Sequence, residues 1–414
     1  MNKIFYRAMI FCLAAVVLGS CVYDFTPDSE DLQGMDKPLV VIEGDIIVGG
    51  ITKVELKSTV PVLNGIEQEE ISYSGAGVWV ENQQGEVWQG VPATEYGIQG
   101  GYDENRFVVD TRDLPLDGMY RLCVSVPDRG EYVSEFKRVM ISPQIDTITY
   151  TRADDRSSVQ FEVSTRNDDS DGKLYCKWSF TEDWESNSEL NAGLRAVYSE
   201  GDVYMEELND DQKKAMSRCF SRGESKEIYI GSTEKLSQNV ISKERLHVIY
   251  STDRRLSSLY CLNVSQTAMD KDAYKYWEVT KASISGTGGL FAPMPSEIRG
   301  NISSVTYPQE KVLGYISVTT ETVKKKYYYA SEFNMYKRNC FDEVYPKTEK
   351  DAEGNEVKVW LQLYLSGQKP VRYEYKENGD PIKNQVYWTS EPCVDCRVYS
   401  NSSRPSGWPD GLDY

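Results

Sequence analysis

The chain has 414 residues, 64 acidic against 46 basic, a formal net charge of −18 and a single histidine. Such a field repels polyanions, and no basic run is longer than Lys324-Lys325-Lys326, so nucleic acid is excluded as a partner. One imidazole excludes zinc sites built mainly from histidines and would have to serve alone in any Ser-His-Asp or Cys-His catalysis.

At the N-terminus Lys3 and Arg7 precede an apolar run from Ala8 to Leu18, the form of a secretory leader. The run is shorter than the roughly 20 apolar residues that cross a bilayer. It closes on Leu18-Gly19-Ser20-Cys21, which resembles the lipobox of bacterial lipoproteins. That resemblance implies removal of residues 1–20 as a signal peptide, diacylglycerol on the Cys21 sulfur and an acyl chain, such as palmitate, on the new amino terminus. Each buried methylene adds about 0.8 kcal/mol of membrane affinity, so several chains tether a protein durably without spanning. The leader carries Lys3 and Arg7 and no acid, so 46 basic residues fall to 44 and the mature charge is −20. Residues 21–38 then hold five acids and two prolines without a period, the composition of a flexible tether.

From Leu39 the pattern alternates as strands do, in "LVVIEGDIIVGG", "ITKVELKSTV", "GAGVWVENQQGEVWQG", "RFVVDTRD" and "GMYRLCVSVPDRGEYVSEFKRVMIS". The last is a hairpin with Tyr120, Leu122 and Val124 on one face and Tyr132 returning. Short strands at this spacing predict an immunoglobulin- or transthyretin-like β-sandwich over residues 39–142. Pro143 opens a larger β-rich domain, residues 143–414, with a few short helical insertions. Its predicted strands are "TITYTR", "VQFEVS", "LYCKWSFTE", "VLGYISVTTETVKKKYYYAS", "EVKVWLQLYLS" and "VRYEYKENGDPIKNQVYWTS". Helices are predicted at Leu208 to Cys219, capped by Asn209 or Asp210, and at Thr267 to Ala282, with Met269, Tyr276 and Trp277 near one face. The fold class is therefore mainly β.

His247, in "RLHVIYST", alternates with apolar neighbours and reads as a sheet-face or core residue. Cys12 leaves with the leader and Cys21 takes lipid, so seven of the nine cysteines remain, and at least one is unpaired. Cys393 and Cys396 form a CxxC without the second CxxC that a four-thiolate zinc site needs. A structural disulfide is expected, within this pair or to Cys219 or Cys340. Glu182, Asp183 and Glu185 around Trp184 have the residue types of a glycosidase site, though a chain this acidic produces such clusters by chance. Asp168, Asp169 and Asp171 lack the full calcium-loop pattern. Gly286, Gly288 and Gly289 lack the Lys-Ser/Thr of a phosphate cradle. The residues therefore supply no catalytic set, no metal site and no cofactor.

Several segments in order resemble one family, the Bacteroidetes lipoproteins grouped as domain of unknown function 4249. They are the lipobox at Cys21, "LVVIEGDI", "YCKWSFTEDWE", "IYIGSTEKLSQNVIS", "TAMDKDAYKYWE", "GGLFAPMPSEIRGNISS" with "VLGYISV", and "EPCVDCR" followed by "RPSGWP", covering nearly the whole mature chain. The resemblance implies a neighbouring TonB-dependent outer-membrane receptor as partner. The function expected is that of a non-enzymatic binding or accessory lipoprotein in nutrient capture, anchored in the outer membrane at its cell-surface or periplasmic face. Its ligand would be a glycan or a peptide. The alternatives are a surface hydrolase, glycosidase or peptidase, and a fimbrial or adhesin-type subunit.

Overall fold

The computed structural model describes residues 38–59, 71–96, 103–167, 172–284, 299–334 and 339–409. The leader, Cys21 and nearly all of the tether lie outside them, as do Asp168, Asp169, Asp171 and the glycines at 286, 288 and 289. The protein is mainly β: of the described residues 50% lie in strands and 14% are helical, with five short α-helices among them. Among the described residues no helix is long and apolar enough to cross a membrane.

The first body is a ten-stranded sheet that curls toward closure. Alternation builds its inner face: Tyr120, Leu122 and Val124 of Met119–Val126 are buried, as is Tyr132 of Gly130–Ser134, which sits opposite Val124. Strand Val40–Gly44 runs antiparallel to Ile51–Ser58 on one side and parallel to Val312–Leu313 on the other. Ile302–Ser304 pairs with Gly130–Ser134 at the far end of the same sheet. Residues beyond the expected division at 142 thus complete this sheet and draw its two ends together. The crossing is close-packed: Gly314 holds a φ of +134°, and a Cβ there would collide with the Ile42 carbonyl oxygen.

The second body packs two sheets over one core. Three strands, Ile145–Arg152, Ser158–Arg166 and Val240–Tyr250, supply Ile148, Phe161, Val163 and Ile249. Facing them are five strands built around Tyr175–Asn187 and Leu259–Ala268, with Arg218–Glu224 and Glu321–Tyr329 outside and Tyr229–Ser232 alongside. These contribute Trp178, Phe180, Leu262 and Val264. Helix Asp210–Ser217 begins with a capping box in which Asn209 Oδ1 accepts from Gln212 N and Gln212 Oε1 accepts from Asn209 N. Helix Lys271–Ile284 presents Ala273, Tyr276 and Trp277 to a small core with Met269, while Thr267 and Ala268, expected to open it, end the preceding strand.

A smaller C-terminal unit joins Glu343–Pro346, Lys369–Tyr375 and Pro381–Thr389 to the hairpin Leu194–Ser199 and Asp202–Glu207. Its core holds Leu194, Val203, Trp360, Val386 and Trp388. Here one expectation is corrected. "EVKVWLQLYLS" is a strand only over Glu356–Lys358 and turns helical over Val359–Leu365. That turn sends Trp360 into the core, where its ring meets Trp388 and its Nε1 donates to the Tyr345 carbonyl at 3.0 Å.

Candidate functional site

Strand Tyr175–Asn187 decides what its acidic cluster can do. Trp178, Phe180 and Trp184 pack in the core between the sheets, so Glu182 turns inward with them, while Asp183 and Glu185 turn to the opposite face. Glu182 therefore cannot flank one glycosidic bond together with Asp183 or Glu185, and the pair that does share a face, Asp183 and Glu185, is engaged by Arg222 and Arg218. Glu182 is buried and accepts from Tyr260 Oη at 2.8 Å and Arg255 Nη1 at 2.8 Å. Desolvation pushes its carboxyl up, but hydrogen bonds from His247 and Tyr260 and the Arg255 charge outweigh that and hold it below the ordinary carboxylate range. Glu185, also buried, accepts from Arg218 Nη2 at 2.7 Å and Trp408 Nε1 at 3.0 Å. Asp183 lies 3.7 Å from Arg222.

His247 belongs to strand Val240–Tyr250 of the facing sheet. Its ring stacks on Phe180 with centroids 4.5 Å apart and on Phe161 at 5.2 Å, and its Nε2 lies 3.2 Å from Tyr260 Oη and 3.5 Å from Glu182 Oε2. The cluster joins the two sheets through their common core, and neither Glu182 nor His247 lines any of the cavities described below.

The CxxC cysteines do not bond each other. Cys393 pairs with Cys340, and Cys396 pairs with Cys219 on strand Arg218–Glu224. The second bridge fastens a C-terminal strap along that strand, where Asn401 Oδ1 accepts from Arg222 N at 2.7 Å and Trp408 packs against Phe220 and Tyr327. Cys123, Cys176 and Cys261 are free and buried.

The cavity of greatest chemical interest lies elsewhere, at the seam of the first two bodies. It has a volume of about 700 Å³, within the roughly 300–1,000 Å³ typical of small-ligand sites. Its floor follows from strand alternation. Trp178 and Gln266 point into the core, where Trp178 Nε1 donates to Gln266 Oε1 at 2.8 Å, so Lys177, Ser179, Ser265 and Thr267 face outward. Ser179 sits opposite Ser265, Lys177 opposite Thr267, and Thr267 opposite Glu321, placing the three hydroxyls and Glu321 in adjacent rows. The first body supplies Asp45, Lys53 and Tyr96, and Lys177 forms an ion pair with Asp45 across the seam. Sequence reading missed these residues: alternating Ser and Thr in "KWSF" and "NVSQTA" look like any solvated strand face.

A second cavity, about 480 Å³, borders Lys137, Lys275, Tyr276, Arg299 and Tyr315. Lys137 Nζ donates there to Asp270 at 3.1 Å and Tyr315 at 3.0 Å. A third, about 500 Å³, has an apolar floor of Leu194, Leu208, Met216 and Val394. Its rim charges Arg195, Lys369 and Arg397 pair with Glu206, Glu391 and Asp395.

These features define a mainly β protein of joined sheet bodies, braced by disulfides and open to solvent at a polar seam. A family model described as Domain of unknown function (DUF4249) matches residues 22–325, and the chain belongs to that family. The match takes in the first body and most of the second, stopping inside strand Glu321–Tyr329 and before "EPCVDCR" and "RPSGWP", so it is narrower than the near-complete coverage expected from the sequence. No curated protein matches the chain.

Proposed function

We propose that the protein is a lipid-anchored, non-enzymatic capture protein of the outer membrane, exposed at the cell surface and working beside a TonB-dependent receptor in a Bacteroidetes-type cell. The observation that carries this reading is Leu18-Gly19-Ser20-Cys21 placed directly before an acidic tether and a strand that begins at Val40. An anchor there leaves the sheet bodies free in water at the end of a short leash. Two disulfides are in keeping with an oxidising compartment. The acids and the histidine that a hydrolase would need are instead engaged in buried pairs, which favours work done by contact.

The test uses full-length tagged protein in its own cells. Detergent-solubilised membranes should yield it together with a β-barrel receptor, and Cys21→Ala should shift it to a soluble fraction. Absence of any receptor ends the partnership, and membrane retention of Cys21→Ala ends the anchor. Protease added to intact cells should digest the body; full protection would turn it to the periplasmic face.

A further inference from the structure

We propose that the seam cavity binds a neutral oligosaccharide. The proposal rests on the capture role above and names what is captured. Its warrant is the chemistry of the lining, beginning with the backbone. An extended peptide binds a sheet by adding to a free strand edge. The floor strand Leu259–Ala268 is paired on both sides, with Tyr175–Asn187 and with Glu321–Tyr329, so its backbone groups are committed. Recognition over this floor must pass through side chains.

Those side chains are hydroxyls, which both donate and accept, as sugar hydroxyls do. Among the described residues, Ser179, Thr267 and Lys53 have no side-chain hydrogen-bond or ion-pair partner, while Ser265 donates to Glu321 and orients that carboxylate. The charges balance: Lys53 and Lys177 stand against Asp45 and Glu321. In a chain of net charge −18 that balance is local, and it favours an uncharged ligand over a polyanion or polycation. Tyr96 lines the wall with 41% of its surface exposed, a ring available to stack on the apolar face of a pyranose.

The experiment is calorimetric titration of the mature protein, purified from whichever fraction holds it, with neutral oligosaccharides of glucose, mannose, xylose and N-acetylglucosamine. At least one series should bind. Tyr96→Ala, at an exposed position, and Thr267→Val, close to isosteric, should each weaken it about tenfold. The proposal is overturned if no neutral series binds, if both variants bind as the parent does, or if short peptides or sulfated sugars bind in their place. Receptor copurification does not require a sugar. A protein that brings down its receptor yet ignores every sugar therefore overturns this proposal and leaves the capture role standing.

Discussion

Arg255 shows how much one side chain can matter inside this fold. Its Nη1 holds Glu182 Oε1 and its Nη2 holds Asp253 Oδ2 at 2.7 Å, while Glu182 keeps only 6% of its surface exposed. Removing the guanidinium takes the arginine charge away from a buried carboxylate and leaves it the Tyr260 hydroxyl and the His247 ring; breaking a buried ion pair from one side costs about 3–5 kcal/mol in other proteins. Arg255→Ala should therefore lower the urea midpoint sharply with an unchanged m-value, and an unaltered midpoint would contradict the pairing. The pH dependence follows from the sign of the Glu182 shift. Its pKa is lowered from 4.5 in the folded state, so the stabilisation is fully present above pH 4.5 and is lost as the pH falls below it through the folded value. Glu182→Gln should flatten the stability curve in that acid window. The sequence showed the acids around Trp184 but not their sorting, because which face each residue takes depends on a core that only the facing sheet completes.

At the scale of elements, legibility followed the length of the periodic signal. The hairpin Met119–Val126 and Gly130–Ser134 has strands of eight and five residues that bury Tyr120, Leu122, Val124 and Tyr132 as expected, with Cys123 buried on the other face as well, and its turn at Asp128 takes a positive φ. Helix Val359–Leu365 was misread because a short apolar run fits either period, and the choice was made by Trp360 docking on Trp388. Strands of two and three residues such as Val312–Leu313 and Ile302–Ser304 carry no local signature of their distant partners. The cysteine pairing was equally hidden, since CxxC spacing is compatible with several connectivities. Peptide mapping of unreduced protein should find Cys219 joined to Cys396 and Cys340 joined to Cys393, and a Cys393–Cys396 link would contradict it. The same sample should resist thiol labelling when native. Burial pushes the Cys123 thiol up to about 12 and Cys261 to about 11, and Cys176 is raised by burial too. Unfolded without reductant, a protein anchored as proposed should expose three thiols: of nine cysteines four are bridged, and the proposed processing removes Cys12 and blocks Cys21. A fourth thiol would mean that Cys21 carries no lipid.

For the whole molecule, the decisive fact is that the first sheet is finished by residues that come much later in the chain. A fragment ending at residue 142 keeps Val40–Gly44 and Gly130–Ser134 but loses the strands that cover their outer edges. Bare edges pair with other copies, so this fragment should aggregate or show poor chemical-shift dispersion. The full chain should give a sharp spectrum. A fragment as well behaved as the parent would show that the later strands are dispensable. The same placement governs how the molecule bears load. A pull transmitted to Val40 meets a strand paired over all of Val40–Gly44 with Ile51–Ser58 and over Val40 and Val41 with Val312–Leu313. Tension along the strand axis loads these bonds together in shear and not one at a time, the mechanically stronger way to carry the proposed anchor.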